Sequence, residues 1–153
     1  MEALIQKLKV DFPELTFTSG PRASWSPANS TIYYPSEEAG HGSWTLLHEV
    51  GHALLGHASY SSDVNLLQKE SAAWQAALEL APKYGLLIAN DHIQDCLDTY
   101  RDWLHKRSSC PVCGHHGLQA TQSLYSCPNC QNTWKVSSAR FCRPYRLKSA
   151  EKA

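Results

Sequence analysis

Apolar residues recur along the first hundred positions with two alternating periods. From Glu2 to Val10 they fall at helical intervals (Leu4, Ile5, Leu8), and the turn around Asp11-Phe12-Pro13 ends that helix. Leu15–Thr18 reads as a short strand closed by Gly20-Pro21. Ala23–Ser26 and Ser30–Tyr34 read as two more, forming a hairpin around Pro27-Ala28-Asn29. After a loop through Pro35, Glu38, Gly40 and Gly42, the pattern turns helical again from about Ser43 to Leu55. Leu46, Leu47, Val50, Ala53, Leu54 and Leu55 make that segment apolar almost all round, as befits a core helix, and Gly56 stops it.

A second long helix is predicted from Asp63 to Leu80, with Leu66, Ala73, Trp74, Ala77 and Leu78 on its apolar side and Pro82 beyond its end. Residues 84–88 form a connector. A third long helix begins near Asp91 and carries Ile93, Leu97, Tyr100, Trp103 and Leu104 on one side. Asp91, Asp95, Asp98 and Asp102 form the opposite, solvated face. Past residue 110 the pattern changes to short strands, within Gly117–Ser126 and at Thr133–Val136. The fold class is α+β: a short strand layer with three to four helices, followed by a small module.

Charge and cysteine content sharpen the boundary. Net charge is zero over 153 residues, yet residues 1–104 hold 6 Lys+Arg against 13 Asp+Glu, and residues 105–153 hold 8 against 1. Five of the six cysteines lie in the basic part. Two units follow, 1–106 and 107–153, with different surfaces and partners. No apolar run approaches the roughly 18 residues of a membrane span, and the N-terminus lacks the basic start and apolar stretch of a secretory signal. A cytoplasmic location with no membrane partner is the expectation.

The core helix contains His48-Glu49-Val50-Gly51-His52, an H-E-x-x-H pentapeptide. Histidines at i and i+4 project from one face toward a single metal ion, and Glu49, about 100° around, reaches a water on that metal without being a ligand. Buried histidines flanking a glutamate need a partner, and zinc supplies one. His48 and His52 are therefore candidate ligands of a catalytic zinc, and Glu49 the candidate catalytic base. A third ligand is needed. His57 would lie on the opposite side of a continued helix and is read as a helix C-terminal residue favoured by the dipole; the metzincin positions for glycine and histidine hold Leu55 and Ala58 instead. Glu70 shares a helical face with Ala73, Trp74 and Ala77, where a carboxylate must be paired or metal-bound, and is the candidate third ligand. Glu79 faces away, and Asp63 is read as an N-cap. Tyr60, Tyr84, His92 and Tyr100 are the candidate donors to a developing oxyanion.

Leu46–His57, followed by the glutamate-bearing, alanine-rich helix ending at Leu80-Ala81-Pro82, resembles the ImmA/IrrE class of metallopeptidases and minimal gluzincins across roughly residues 20–85. Counted back from Pro82, that family's glutamate position falls on Ser71, one residue after Glu70, and its phenylalanine on Gln75. The resemblance implies a zincin-type fold and a zinc-dependent endopeptidase acting on a peptide or protein substrate, with Thr31–Tyr34 as an edge strand that pairs with it.

In the basic tail, Cys110, Cys113, Cys127 and Cys130 follow the spacing C-x2-C-x13-C-x2-C, a closed four-thiolate site for a structural zinc, similar to a zinc ribbon. Two zinc ions are thus expected, one catalytic and one structural. The tail is too short to bury a sufficient core without its metal. Cys96 and Cys142 have no CxxC partner and read as plain thiols. Arg140–Arg146 interleaves cations with aromatics, which makes the ribbon a candidate for docking nucleic acid or protein. A peptidase followed by a ribbon also resembles the SprT-like proteases that act on DNA-bound proteins, whose third ligand is a later histidine. A non-catalytic regulator with a nucleic-acid-binding ribbon is the remaining alternative.

Overall fold

A computed structural model of the chain describes residues 1–36, 40–137 and 146–147. It is an α+β protein with four α-helices among the described residues, two small sheets and a C-terminal cysteine ribbon. The helices are α1 (Glu2–Asp11), α2 (Gly42–Leu54), α3 (Asp63–Leu80) and α4 (Asn90–Ser108). A 3-10 turn, Ala81–Tyr84, follows α3 where Pro82 removes a backbone donor. The chain divides into two compact units. The first holds Met1–Ser59 and Gln68–Ile93; the second holds Tyr60–Leu67 and the chain from Gln94 onward. The second unit thus takes in more than the cysteine module, since it includes the start of α3 and most of α4. Among the described residues no helix is long and apolar enough to cross a membrane.

In the first unit a three-stranded sheet has the order β1 (Thr16–Gly20), β3 (Thr31–Pro35), β2 (Ser24–Ser26). β2 and β3 form the antiparallel hairpin expected from their spacing, with Trp25 opposite Ile32. β1 pairs with β3 in parallel, Phe17 opposite Ile32. This corrects one expectation: Thr31–Tyr34 is the central strand, not an edge. A strand flanked on both sides has no row of open N–H and C=O groups to offer a peptide. The edges are β1 and β2.

Helix α2 packs on β2 and β3. Its Leu46, Leu47 and Val50 are wholly buried, as are Leu8 of α1, Ile32 of β3 and Ala77 of α3. Burial of each large aliphatic side chain contributes roughly 1.5–3 kcal/mol, so this unit has an apolar core that needs no metal. Gly51 in α2 sits against the backbone of α3: a Cβ there would lie 2.5 Å from the Ala73 carbonyl oxygen. The glycine inside the H-E-x-x-H pentapeptide therefore lets α3 approach α2 closely.

In the second unit the sheet runs β4 (Leu118–Thr121), β5 (Leu124–Ser126), β6 (Thr133–Val136), β7 (Arg146–Leu147), all antiparallel. Its small core is Cys110, Tyr125, Cys127, Trp134 and Val136, with the Tyr125 and Trp134 rings stacked at 5.7 Å. Gly117 lies under the Trp134 ring, where no side chain fits.

A buried ion pair organises this unit. Asp63, at the start of α3, and Arg107, near the end of α4, are 1% and 2% exposed, and Arg107 Nε donates to Asp63 Oδ2 at 2.7 Å. The hydroxyl of Tyr125 donates to the same oxygen at 2.6 Å. The Gln119 amide donates to Oδ1 at 3.3 Å and accepts from the Asp63 N–H at 2.8 Å. Arg107 stacks on Trp103, and its own carbonyl accepts from the Trp134 indole at 2.9 Å. Asp63 is therefore not the N-cap. Ser62 is, its hydroxyl accepting from Asn65 N–H at 3.1 Å. A buried aspartate and arginine are tolerable only with such complete pairing.

Candidate metal centres

The helical period places His48 and His52 on one face of α2, and the Gly51 contact brings Glu70 of α3 across to them. His48 Nε2 and His52 Nε2 are 3.0 Å apart. Glu70 Oε2 is 3.1 Å from His48 Nε2, and Oε1 is 3.5 Å from His52 Nε2. His48 and Glu70 are 6% and 8% exposed. Three donors around a tetrahedral zinc, with bonds of about 2.0–2.1 Å, should stand roughly 3.3–3.4 Å apart. The observed triangle brackets that value. The donor set, two imidazole nitrogens and one carboxylate, also suits zinc.

The electrostatics follow the same geometry. Burial pushes Glu70 up, but hydrogen bonding and charge from His48 and His52 outweigh it and bring its pKa down to about 2. Glu49 stands outside the triangle. Burial raises its pKa above the ordinary carboxylate value, against the opposing influence of His48, His52 and an N–H bond from Trp25. That bond, Trp25 N–H to Glu49 Oε2 at 2.8 Å, comes from edge strand β2.

The two histidines are held differently. His48 Nδ1 is buried and has no hydrogen-bond partner; its ring lies against Trp74 at 4.4 Å. His52 Nδ1 is 2.8 Å from Nδ1 of His57. Helix α2 ends at Leu54, and Gly56 adopts φ +63°, which turns the chain back so that His57 N–H donates to the His52 carbonyl at 3.0 Å. His57 is thus not remote from the site, as a continued helix would have made it. The glycine at 56 was the sequence signal that the helix would not continue. Burial, then the neighbouring His52, lowers the His57 pKa.

Of the candidate oxyanion donors, Tyr84 is engaged elsewhere. Its hydroxyl donates to Asp11 at 2.7 Å, and burial together with that bond raises its pKa. His92 lies in the first unit with its ring against Trp74 and Trp44. Tyr60 and Tyr100 belong to the second unit. Glu79 is exposed, as its helical position implied.

The four ribbon cysteines converge on one point, their sulfurs all within 4.8 Å of one another. Cys110 and Cys130 Sγ are 3.6 Å apart, and Cys113 and Cys127 3.5 Å. Zinc–sulfur bonds of about 2.3 Å place tetrahedral thiolates roughly 3.8 Å apart, so these four can hold one zinc. Each CxxC turn is followed by a left-handed residue, Gly114 (φ +77°) and Gln131 (φ +61°). Those residues let Gly114 N–H reach the Cys110 carbonyl and Gln131 N–H that of Cys127. The His115 amide, helped by Asn129, brings the Cys113 pKa down to about 5. At Cys130 the Asn132 amide lowers the pKa, but burial and the neighbouring thiols prevail and leave it at about 12. No two of these sulfurs form a disulfide, and Cys96 is also a free thiol. Cys142 and most of the Arg140–Arg146 stretch lie outside the described residues.

Residues 106–136 match a family of zinc ribbon domains. The match is confined to the cysteine module and leaves the H-E-x-x-H unit without a family assignment. No curated protein and no solved structure matches the chain.

Proposed function

We propose that this chain is a zinc-dependent endopeptidase of the gluzincin type, with His48, His52 and Glu70 holding a catalytic zinc and Glu49 serving as general base. The observation that carries the reading is the donor triangle of 3.0–3.5 Å with a separate, buried carboxylate beside it. Zinc bound there supplies Lewis-acid polarisation of a scissile carbonyl and acidifies water. Glu49, its Oε2 oriented by the Trp25 amide, accepts a proton from the attacking water and returns it to the leaving amine. The raised pKa of Glu49 suits both transfers, because a base nearer neutrality gives its proton back more readily. Glu70 in the third position favours this reading over the SprT-like one, which calls for a later histidine there. The zinc ribbon provides docking or targeting for a cytoplasmic enzyme, with protein or nucleic acid as its partner.

Glu49→Gln tests the chemistry. It should retain two zinc ions per chain and lower cleavage of an unfolded protein substrate by about 10²–10⁴-fold. Undiminished cleavage by that variant would exclude the mechanism.

A further inference from the structure

We propose that His57 is a positioning residue for His52, accepting its Nδ1 proton and so presenting Nε2 as the donor toward His48 and Glu70. This rests on the metal reading above. The two Nδ1 atoms are 2.8 Å apart, a distance that demands a single proton between them. Two tautomers of the pair satisfy it. In one, His52 carries the proton on Nδ1 and offers the Nε2 lone pair to the triangle. In the other, His57 donates, His52 accepts at Nδ1, and a neutral His52 then points an N–H into the triangle, where no cation can be held. A metal-binding site needs the first arrangement, with His57 neutral and its own proton on Nε2.

The backbone keeps His57 in place to play that part. Gly56 reverses the chain, His57 N–H donates to the His52 carbonyl, and the Trp25 indole donates to the His57 carbonyl at 2.8 Å. Trp25 thereby secures both outer supports of the site, Glu49 through its amide and His57 through its ring. His48 has no such hydrogen-bonded support, and its Nδ1 is without a partner. His52 is the ligand whose orientation depends on a neighbour.

Zinc competition with a chromophoric chelator, on the full chain, tests this. His57→Leu should weaken the more labile zinc by roughly 10–100-fold and leave the ribbon zinc unchanged. His57→Asn, which keeps an acceptor oxygen near the position of Nδ1, should restore most of that loss. Equal zinc affinity in His57→Leu and wild type overturns the proposal, as does an Asn variant no better than Leu. Long-range 1H–15N spectra of the zinc-loaded wild type give a readout that depends on no variant folding. His57 should appear with its proton on Nε2, and a proton on Nδ1 refutes the assignment. A wild type that carries one zinc, unchanged by His48→Ala, fails at the earlier step and removes the metal reading and this inference together.

Discussion

The two candidate metal centres of this chain are built in opposite ways. The His48/His52/Glu70 site sits on helices whose apolar faces are already buried: Leu46, Leu47, Val50 and Ala77 would hold α2 and α3 together with no ion between the donors. The ribbon site is nearly the whole of its local core, two cysteines among five buried residues. In the first case a fold makes a site; in the second a site makes a fold. Their ligands differ accordingly. Three ligands leave a zinc coordination position open for chemistry, whereas four thiolates close it.

The sharpest way to break this comparison is Cys110→Ser. Structural zinc in small cysteine modules contributes on the order of 10 kcal/mol, so the variant should lose one zinc and the order of the ribbon. The Trp134 indole N–H, bonded to the Arg107 carbonyl, should collapse to a random-coil position in proton NMR, while first-unit amides keep their dispersion. A Trp134 resonance that stays in place would show that the ribbon stands without its metal.

Next in size is Asp63→Ala. It leaves Arg107 buried and uncompensated, at an expected cost of about 3–5 kcal/mol in denaturant unfolding of the second unit. The double variant Asp63→Ala/Arg107→Met should cost less than Asp63→Ala alone. If it costs more, hydrogen bonds from Tyr125 and Gln119, rather than the orphaned charge, carry the penalty. Either result measures how much of this unit's stability lies outside its zinc.

Gly51→Ala probes the first unit instead. A methyl group against the Ala73 carbonyl forces α3 away from α2, with a cost of about 1–3 kcal/mol. Glu70 should move with it, so the variant should lose zinc at the histidines and keep the ribbon zinc, as counted by mass spectrometry. Retention of both ions would mean the donor triangle tolerates separation of its helices. Mild chelation should have a smaller structural effect still, removing cleavage activity first with little change in helical circular dichroism.

The smallest expected effect is a pH slope in chelated protein. The Glu70 pKa falls from 4.5 to about 2 on folding, so its carboxylate contributes stability that is complete above pH 4.5 and lost as pH falls through about 2. Thermal unfolding between those values should be flatter in Glu70→Gln than in wild type. Identical slopes would mean that Glu70 is not held by the histidines when metal is absent.

Features carried by local periodicity were legible from the residues alone. The 3.6-residue repeat sets the bounds of α3 at Asp63 and Leu80, and the aspartates of α4 face solvent as their spacing requires. The same repeat puts His48 and His52 on one face, and the cysteine spacing announces the ribbon. Alternation within Thr31–Tyr34 says that a strand forms but nothing about its neighbours. Its central place depends on β1, ten residues and more upstream, pairing in parallel. Asp63 shows the same limit. A helix-start aspartate has a local explanation as a cap, and only the arrival of Arg107, 44 residues away, makes it half of a buried ion pair.

By itself, then, the sequence determined the helices, the hairpin, the two cysteine knuckles and the pairing of His48 with His52, because each depends on residues within a few positions of one another. Tertiary structure alone decided that Gly51 would admit Ala73, that Glu70 would close the triangle, and that Trp25 and His57 would brace Glu49 and His52 from outside. Those contacts join segments whose separation along the chain carries no periodic signal. They exist because burying the apolar faces of α2, α3 and the sheet in one core leaves a single way for the polar groups between them to meet.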